Sequence, residues 1–514
     1  MVKMSIRNKR SRLFALNTAF SVLNQIISIL CGLILPQRML VYFGSEMNGL
    51  ISSISQFLGF ISFMQMGVGV VVQASWYKPL AEGDTTQISK IYKSAQKFFR
   101  KIGKIFIVYT VVVAVIYPVV VNNNFEHIFV SAMILVIAIN LFGQYYWGIT
   151  NSLLLNADQK AFIPLVIQSI VAILNVVVCL ILMKLGVSVL YVKLFSVMVC
   201  LINPVALSLY VKKNYAIDIN VNLTDEPIKQ KWSGFGQHIS AVVVDNTDII
   251  VLTLFSTLEN VSIYYVYYLV VYSVRNLLVS ITGGVQSLFG DMLARDEKNQ
   301  LKHVFQAFEM AFSFMVTLIY SCVMSLIVPF VQVYTKDITD TNYVVPIFGI
   351  LITLAYAIFC YRTVYYTLIK AAGRFKETQL AAIFEALINV LISVICVKKF
   401  GLIGVAIGTI VAVLYRTCYC AWYCSREFIS QGLGRFLKMS VLNTILYFST
   451  YAICKSVKLN AISYIAWIVM AIKVVLICLV VCIIGYMITF NKETVFTVGF
   501  IKNRIRRKNK SEDS

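Results

Sequence analysis

The chain has 514 residues, of which 59% are hydrophobic and 13% charged, and its formal net charge is +22. A soluble domain is about one-quarter charged and under half apolar, so this composition excludes a water-soluble globule, a disordered chain and a secreted disulfide scaffold. The surplus of lysine and arginine is typical of cytoplasmic loops in a membrane protein, not of nucleic-acid contacts.

Fourteen apolar runs are long enough to cross about 30 Å of hydrocarbon. Because a bilayer admits only helices or closed barrels, and because these runs are continuous and not alternating, they predict transmembrane helices. The runs cover residues 13–35, 50–72, 105–121, 128–149, 162–183, 189–211, 238–255, 263–288, 305–331, 345–368, 380–397, 402–424, 440–454 and 464–490.

The distribution of lysine and arginine predicts the orientation. With the N-terminus placed in the cytoplasm, 33 of the 45 cationic residues fall on the cytoplasmic side, 7 on the opposite side and 5 inside spans. Cytoplasmic loops carry the excess of positive charge in membrane proteins. We therefore expect a multi-pass protein of the cell membrane with both termini in the cytoplasm.

The longest cytoplasmic break, residues 73–104, contains a basic amphipathic helix. Its apolar positions follow helical spacing, with lysines and arginines interleaved among them. Such a helix is suited to an anionic inner leaflet, and an elbow between two spans is the alternative. The apolar positions are Ile88, Ile91, Tyr92, Ala95 and Phe99.

Short sequence matches indicate an internal repeat. Residues 72–74 (Val-Gln-Ala) match residues 285–287 (Val-Gln-Ser) at an offset of 213, and Asn175 matches Asn389 at 214. Spans one to six and seven to twelve then form two six-helix lobes inserted in parallel, with two helices added. The predicted domains are an N-lobe (1–215), a C-lobe (216–425), spans thirteen and fourteen (426–490) and a basic cytoplasmic tail (491–514).

Three arginines lie inside spans of the second lobe, where an intramembrane charge costs at least about 2.5–3.5 kcal/mol. They are therefore expected to face a hydrated interior, and the guanidinium fork suits phosphate oxygens. Tyrosines beside them offer ring faces and hydroxyls to sugars. The predicted substrate-binding residues are Arg275, Arg362, Arg416, Tyr272, Tyr361 and Tyr365.

Acidic residues in the spans have two interpretations. Asp245 and Asp248 are three residues apart on one helical face, and Glu385 lies one turn before Asn389. They are candidates for H⁺ or Na⁺ coupling, or counter-ions for the arginines. Lys473, in the last span, is a candidate for a lipid phosphate. The sequence predicts no metal site and no cofactor other than such a coupling ion.

Several segments resemble one family. Residues 38–50 (RMLVYFGSEMNGL) with 66–70 (MGVGV) are similar to the first hairpin of bacterial polysaccharide flippases, as are 245–251 (DNTDIIV) and 400–408 (FGLIGVAIG). These flippases belong to the multidrug/oligosaccharidyl-lipid/polysaccharide exporter (MOP) superfamily. The resemblance implies an all-α integral membrane fold of 14 transmembrane helices, with two six-helix lobes around a V-shaped cavity.

The same resemblance implies a function. It predicts a transporter, not an enzyme, that flips polyprenyl-diphosphate-linked oligosaccharide repeat units from the inner to the outer leaflet by alternating access. Arg275 and Arg362 best match the cavity cations of such relatives. The expected partners are the lipid-linked oligosaccharide, membrane lipids, and glycan polymerases and glycosyltransferases, with no nucleic acid.

Other functions are less consistent with the sequence. A multidrug or cation-coupled exporter of the same fold favours an acidic, apolar cavity, which the second-lobe arginines do not suggest. A major facilitator-type transporter usually has a short connection after its second span, whereas residues 73–104 are long. A membrane glycan polymerase or transferase needs catalytic groups, but the chain has 3 histidines and its outward loops are short.

Overall fold

The computed structural model describes residues 2–121, 124–218, 220–222, 228, 235–430 and 432–490. In this part of the chain the regular structure is helical throughout, without a β-strand. The helices are α1 Val2–Gly59, α2 Phe63–Glu82, α3 Thr85–Val120, α4 His127–Gly143, α5 Ile149–Ala157, α6 Phe162–Lys184, α7 Val189–Asn214, α8 Phe235–Phe255, α9 Leu258–Ala294, α10 Lys298–Tyr334, α11 Pro346–Ala371, α12 Phe375–Phe400, α13 Leu402–Cys424, α14 Gly434–Cys454 and α15 Tyr464–Thr489.

Each of the fourteen predicted spans corresponds to a helical segment, which confirms the predicted fold class. The first span lies in α1, and the second runs from the end of α1 through a 3-10 turn at Phe60–Ser62 into α2. Between the two spans Gly44 breaks the helical backbone of α1 with a φ of 81° and a ψ of 173°. This left-handed φ is readily adopted only by glycine. The fourth span comprises α4 and α5, joined by a π-helical turn at Gln144–Gly148.

Eleven helical stretches of the described residues are long and apolar enough to cross a membrane. They present large apolar side chains on their outer surfaces, such as Val119 at 73% exposure and Ile488 at 78%. A soluble protein does not expose apolar surface on this scale. The chain is therefore a multi-pass membrane protein.

The helix starts repeat along the chain. Thr85 and Lys298 begin α3 and α10, and Phe162 and Phe375 begin α6 and α12, each pair 213 residues apart. The starts of α7 and α13 show the same separation. The break at Gly44 falls 213 residues before the break between α8 and α9. The repeat seen in short sequence matches therefore extends to the secondary structure.

The backbone forms two compact units, residues 1–262 and 263–514. Unit 1 contains α1 to α8, and unit 2 contains nearly all of α9 and the helices after it. The domain boundaries drawn from the sequence remain predictions. The basic tail at 491–514 lies outside the described residues.

The basic amphipathic segment is the first half of α3, which continues without a break into the third span. Its apolar positions belong to the core of unit 1, and each is 8% exposed or less. The apolar face is therefore covered by protein and is not free to lie on a leaflet. Of the two interpretations, the structure supports the elbow between spans.

The segment after α7 is fastened to unit 1 by polar contacts. Tyr215 donates its hydroxyl to Asp158, whose carboxylate also lies 2.6 Å from Lys160 Nζ. Lys93 donates to the carbonyl of Val221 over 2.8 Å. Burial, together with the Asp158 hydrogen bond, raises the pKa of Tyr215 far above its usual value. The hydroxyl therefore remains protonated and able to donate.

In unit 2, α12 and α13 form a tightly packed hairpin. A Cβ atom on Gly404 would collide with the backbone of Cys396, and one on Gly408 would collide with Ser393. Small residues four apart let two membrane helices approach closely, as in other small-xxx-small pairs. The segment 400–408 thus has a local structural reason for its glycines.

Candidate functional site

A column of tyrosines follows one face of α9. Tyr264, Tyr268 and Tyr272 are spaced by four residues, and their ring centroids are 5.9 Å and 4.9 Å apart in succession. The planes of both pairs are within about 25° of parallel. Residues four apart in a helix are neighbours on its surface, so the sequence spacing itself produces this stack.

Arg275 continues this column one turn further along α9. Its guanidinium carbon is 4.8 Å from the centre of the Tyr272 ring and 4.3 Å from the centre of the Phe359 ring on α11. Tyr356, one turn before Phe359, contributes a third ring at 5.8 Å. Aromatic faces attract cations by about 0.5–2 kcal/mol, so these rings hold the guanidinium in place.

Arg362 approaches the same Phe359 ring. Its guanidinium carbon is 4.2 Å from the ring centre, and it lies three residues after Phe359 on α11. Two permanent cations therefore share one aromatic ring. We call Tyr272, Arg275, Phe359 and Arg362 the cation–aromatic row.

Glu385 on α12 compensates part of this charge. Arg362 donates a hydrogen bond from Nη1 to Glu385 Oε1, and Arg416 Nε on α13 lies 3.8 Å from Oε2. The Glu385 side chain is 7% exposed and that of Arg362 is 12% exposed. Glu385 thus lies where a counter-ion of Arg362 and Arg416 would lie, and its role remains a prediction.

Arg416 lies deeper than the other two arginines. Its side chain is 2% exposed, and Nη1 donates to the carbonyl of Thr378 over 2.7 Å. A buried guanidinium must satisfy its donors within the protein. Here the carbonyl of Thr378 accepts a hydrogen bond, and the carboxylate of Glu385 lies close by. Arg416 thus supports Glu385 from inside unit 2, and its predicted contact with substrate remains a prediction.

Tyr361 takes part in a different group of contacts. Its hydroxyl is 2.8 Å from Thr317 Oγ1 on α10 and hydrogen-bonds the hydroxyl of Tyr447 on α14. Asn443 Oδ1 accepts from both Thr317 and Tyr486, the latter on α15. This hydroxyl network joins the last two helices to α10 and α11.

Tyr365 also makes a structural contact. Its hydroxyl donates to Glu309 Oε1 on α10, while Arg435 Nε on α14 donates to Glu309 Oε2 over 2.7 Å. All three residues are largely buried, with Glu309 at 3% exposure. Tyr361 and Tyr365 were predicted to line the substrate site, and the structure places both hydroxyls at the attachment of α14 and α15.

The remaining predicted residues lie on α8 and α15. Asp245 and Asp248 lie on α8 in unit 1, where Asp248 is 5% exposed. Lys473 lies on the exposed side of α15, away from the buried stripe that includes Val474 and Cys478. Their predicted roles in ion coupling and lipid-phosphate binding remain predictions.

Sequence reasoning missed several residues of these groups, among them Phe359, Tyr356, Glu309 and Arg435. Phe359 and Tyr356 have a detectable signal, because they precede Arg362 on α11 at spacings of three and six residues. Glu309 and Arg435 have no such signal, because they are 126 residues apart in the chain. Arg435 also lies outside the predicted spans, between residues 424 and 440. Their pairing depends on which helices are neighbours.

The comparisons with known proteins address the fold. No family model matches the sequence, and no curated protein matches it. A structure of the lipid II flippase MurJ in an inward closed conformation superposes with a TM-score of 0.70 at 15% identity, covering 93% of this chain and 99% of that chain.

Multidrug transporters of the MATE type are similar as well. An inward-facing MATE family transporter of the MOP superfamily gives a TM-score of 0.60 at 14% identity, covering 78% of this chain and 94% of that one. The Vibrio cholerae MATE transporter VcmN in the bent form gives 0.53 at 12% identity, covering 83% and 98%. The chain thus has the fold of the MOP superfamily, which confirms at the level of fold the resemblance seen in the sequence.

Proposed function

We propose that the protein is a transporter that moves a polyprenyl-diphosphate-linked oligosaccharide from the inner to the outer leaflet. The observation that carries the proposal is the cation–aromatic row, which places Arg275 and Arg362 on one ring inside the spans of unit 2. Charges at membrane depth are costly and are retained where they perform a function. The MurJ fold supports the same conclusion.

The charge of the group suits a phosphate. Arg362 and Arg416 share the carboxylate of Glu385, and Arg275 adds a third guanidinium at the same Phe359 ring as Arg362. Arginine binds phosphate through two parallel N–H···O bonds, which replace the water that a diphosphate loses on leaving the membrane surface. Arg275 is the proposed contact residue, because it lies at the end of the tyrosine column and its guanidinium carbon packs on the rings of Tyr272, Tyr356 and Phe359.

The aromatic column suits the sugars. Tyr268 and Tyr272 are partly exposed, and their rings continue from Arg275 along α9. The apolar faces of sugar rings pack on aromatic rings, and tyrosine hydroxyls exchange hydrogen bonds with sugar hydroxyls. In the proposed arrangement, the diphosphate binds Arg275 and the first sugars lie on the tyrosines.

The proposed cycle is alternating access. The headgroup enters from the inner leaflet, the lipid tail remains in hydrocarbon, and a change of conformation exposes the headgroup on the outer side. A coupling ion, H⁺ or Na⁺, resets the protein, and Asp245 and Asp248 are its proposed ligands. Glycan polymerases and glycosyltransferases are the proposed partners on the two sides of this step.

The second candidate is a multidrug exporter, which the similarity to MATE transporters favours. Purified protein in liposomes distinguishes the two functions. We expect a fluorescent polyprenyl-diphosphate glycan in the inner leaflet to become accessible outside, with no accumulation of cationic dyes. Dye transport without glycan translocation would reject the flippase and favour the exporter.

A further inference from the structure

A stripe of cations lies on one face of α3 in unit 1. The stripe occupies positions i, i+3, i+4 and i+7 of the helix, which lie on one side of it. Its residues are Lys97, Arg100, Lys101 and Lys104. The helix then continues with exposed apolar residues from Ile105 to Val120, including Val108 at 66% and Val115 at 67% exposure. This change from cationic to apolar marks the level at which the hydrocarbon begins.

Arg100 is fixed against an aromatic cluster at that level. Its guanidinium carbon is 4.5 Å from the centre of the Tyr146 ring, which stacks on Phe142 and lies edge-on to Trp147. Tyrosine and tryptophan gather where headgroups meet hydrocarbon. Trp147 is 39% exposed, so the cluster reaches the surface of the protein.

The local backbone brings these groups together. Gln144–Gly148 form the π-helical turn, and such turns are frequent at functional sites. Gly103, one turn after Arg100, faces Tyr145 and Phe142, and a Cβ atom there would be 3.5 Å from Tyr145 Cβ. The turn therefore packs closely on α3 with Tyr145 buried, while the next residue, Tyr146, meets Arg100.

Arg100 retains an unused donor. Its Nε atom is buried and has no hydrogen-bond partner among the described residues. Within that same part of the chain, no carboxylate forms an ion pair with any of the four cations of the stripe. A buried donor without a partner is unfavourable, and an anion at this position would remove the deficit.

We propose that this stripe and the Tyr146–Trp147 cluster bind the phosphate of an anionic phospholipid. Arg100 would donate hydrogen bonds to the phosphate, the lysines would add positive charge, and the acyl chains would lie on the exposed apolar face of α3. The site is built from residues of unit 1, shares no residue with the cation–aromatic row, and does not depend on the proposed transport. The distribution of cations along the chain assigns it to the inner leaflet.

Native mass spectrometry of the full-length protein tests the proposal, with phosphatidylglycerol as the probe and phosphatidylcholine for comparison. Each juxtamembrane cation contributes roughly fivefold to binding of an anionic lipid. We therefore expect Arg100→Gln to raise the apparent dissociation constant for phosphatidylglycerol about fivefold and to leave that for phosphatidylcholine unchanged. Arg100→Lys should lose less, because the charge remains.

The control is Lys78→Gln, which removes one positive charge from an 83% exposed side chain of unit 1 outside the stripe. It should leave the binding of phosphatidylglycerol unchanged. Lys101→Gln/Lys104→Gln changes only exposed side chains and should weaken binding even where Arg100→Gln fails to fold. Unchanged binding in the double variant, or an equal loss in the control, would overturn the proposal.

Discussion

Arg275 differs from the other intramembrane arginines in its surroundings. Arg362 and Arg416 both lie against the carboxylate of Glu385, and Arg275 packs on three aromatic rings, those of Tyr272, Tyr356 and Phe359. Aromatic faces attract a guanidinium and fix its position. This makes Arg275 the residue at which the proposed function is most directly tested.

Replacing Arg275 with alanine should abolish translocation of the lipid-linked glycan in proteoliposomes while the protein still inserts. Arg275→Lys should retain part of the rate, because the charge persists and the two-pronged donor does not. The matched control is Arg295→Ala, just beyond the end of α9, where the arginine is 65% exposed and pairs with Asp291. Wild-type transport by Arg275→Ala at equal abundance would contradict the proposed contact.

Glu385 should matter for stability. In Glu385→Gln the buried Arg362 and Arg416 lose their carboxylate, and removing one partner of a buried ion pair typically costs about 3–5 kcal/mol. We expect a clear fall in the thermal unfolding temperature in detergent. Glu377→Gln, at a 40% exposed carboxylate that pairs with Arg374, should unfold near the wild-type temperature. Equal losses in both variants would refute the structural importance of the buried group.

At the level of the helices, the α12–α13 hairpin positions this buried group. Glu385 and Arg416 come from its two arms, and the arms approach closely because Gly404 and Gly408 lack side chains. A shift of about 1 Å between the arms would lengthen the Arg416–Glu385 contact, which is 3.8 Å already. The glycines and the ion pair are therefore linked through one packing distance.

Gly408→Ala should destabilise the protein, since its Cβ atom would lie 2.8 Å from the backbone nitrogen of Ser393. Gly284→Ala on α9 is the matched control, because nothing lies within 4 Å of a Cβ atom there. In a helix interior, alanine is favoured over glycine by about 0.5–1 kcal/mol, so the control should be neutral or slightly more stable. The thermal unfolding temperatures of both variants test this expectation. An unchanged unfolding temperature in Gly408→Ala would contradict the close approach of α12 and α13.

The last two helices are attached by polar groups and not only by apolar packing. The hydroxyl network of Thr317, Tyr361, Asn443 and Tyr486 joins α10 and α11 to α14 and α15. The Glu309–Arg435 pair joins α10 to α14. In lipid, apolar packing between helices has little hydrophobic driving force, whereas interhelical hydrogen bonds are specific. The two helices thus have a defined position on α10 and α11.

For the whole molecule, the distribution of cations predicts which side of the membrane each loop faces. An epitope inserted at Asn460 should be accessible to antibody on intact spheroplasts, and one at Gly83 only after permeabilisation. Both sites are exposed, and a Cβ atom at Gly83 meets nothing within 4 Å. The reverse pattern would show that the orientation derived from the charges is wrong.

The sequence alone determined the elements and their repetition. Membrane-spanning backbone must satisfy its own hydrogen bonds, so long apolar runs have one structural solution, and all fourteen appear as helices. The matches at an offset of 213 anticipated the paired helix starts. The costly intramembrane arginines also stood out, because charge is conspicuous against an apolar background.

Only the tertiary structure decided the neighbours of those residues. It placed Phe359 beside both Arg275 and Arg362, and it joined Glu385 to two arginines. It also directed the hydroxyl of Tyr361 to Tyr447 on α14 and that of Tyr365 to Glu309 on α10. It also covered the apolar face of α3 with protein. Hydropathy records how much a helix prefers lipid or protein over water, but not which helix it packs against. That choice depends on side-chain shape and on close approaches such as Gly408 to Ser393, which involve residues distant in the chain.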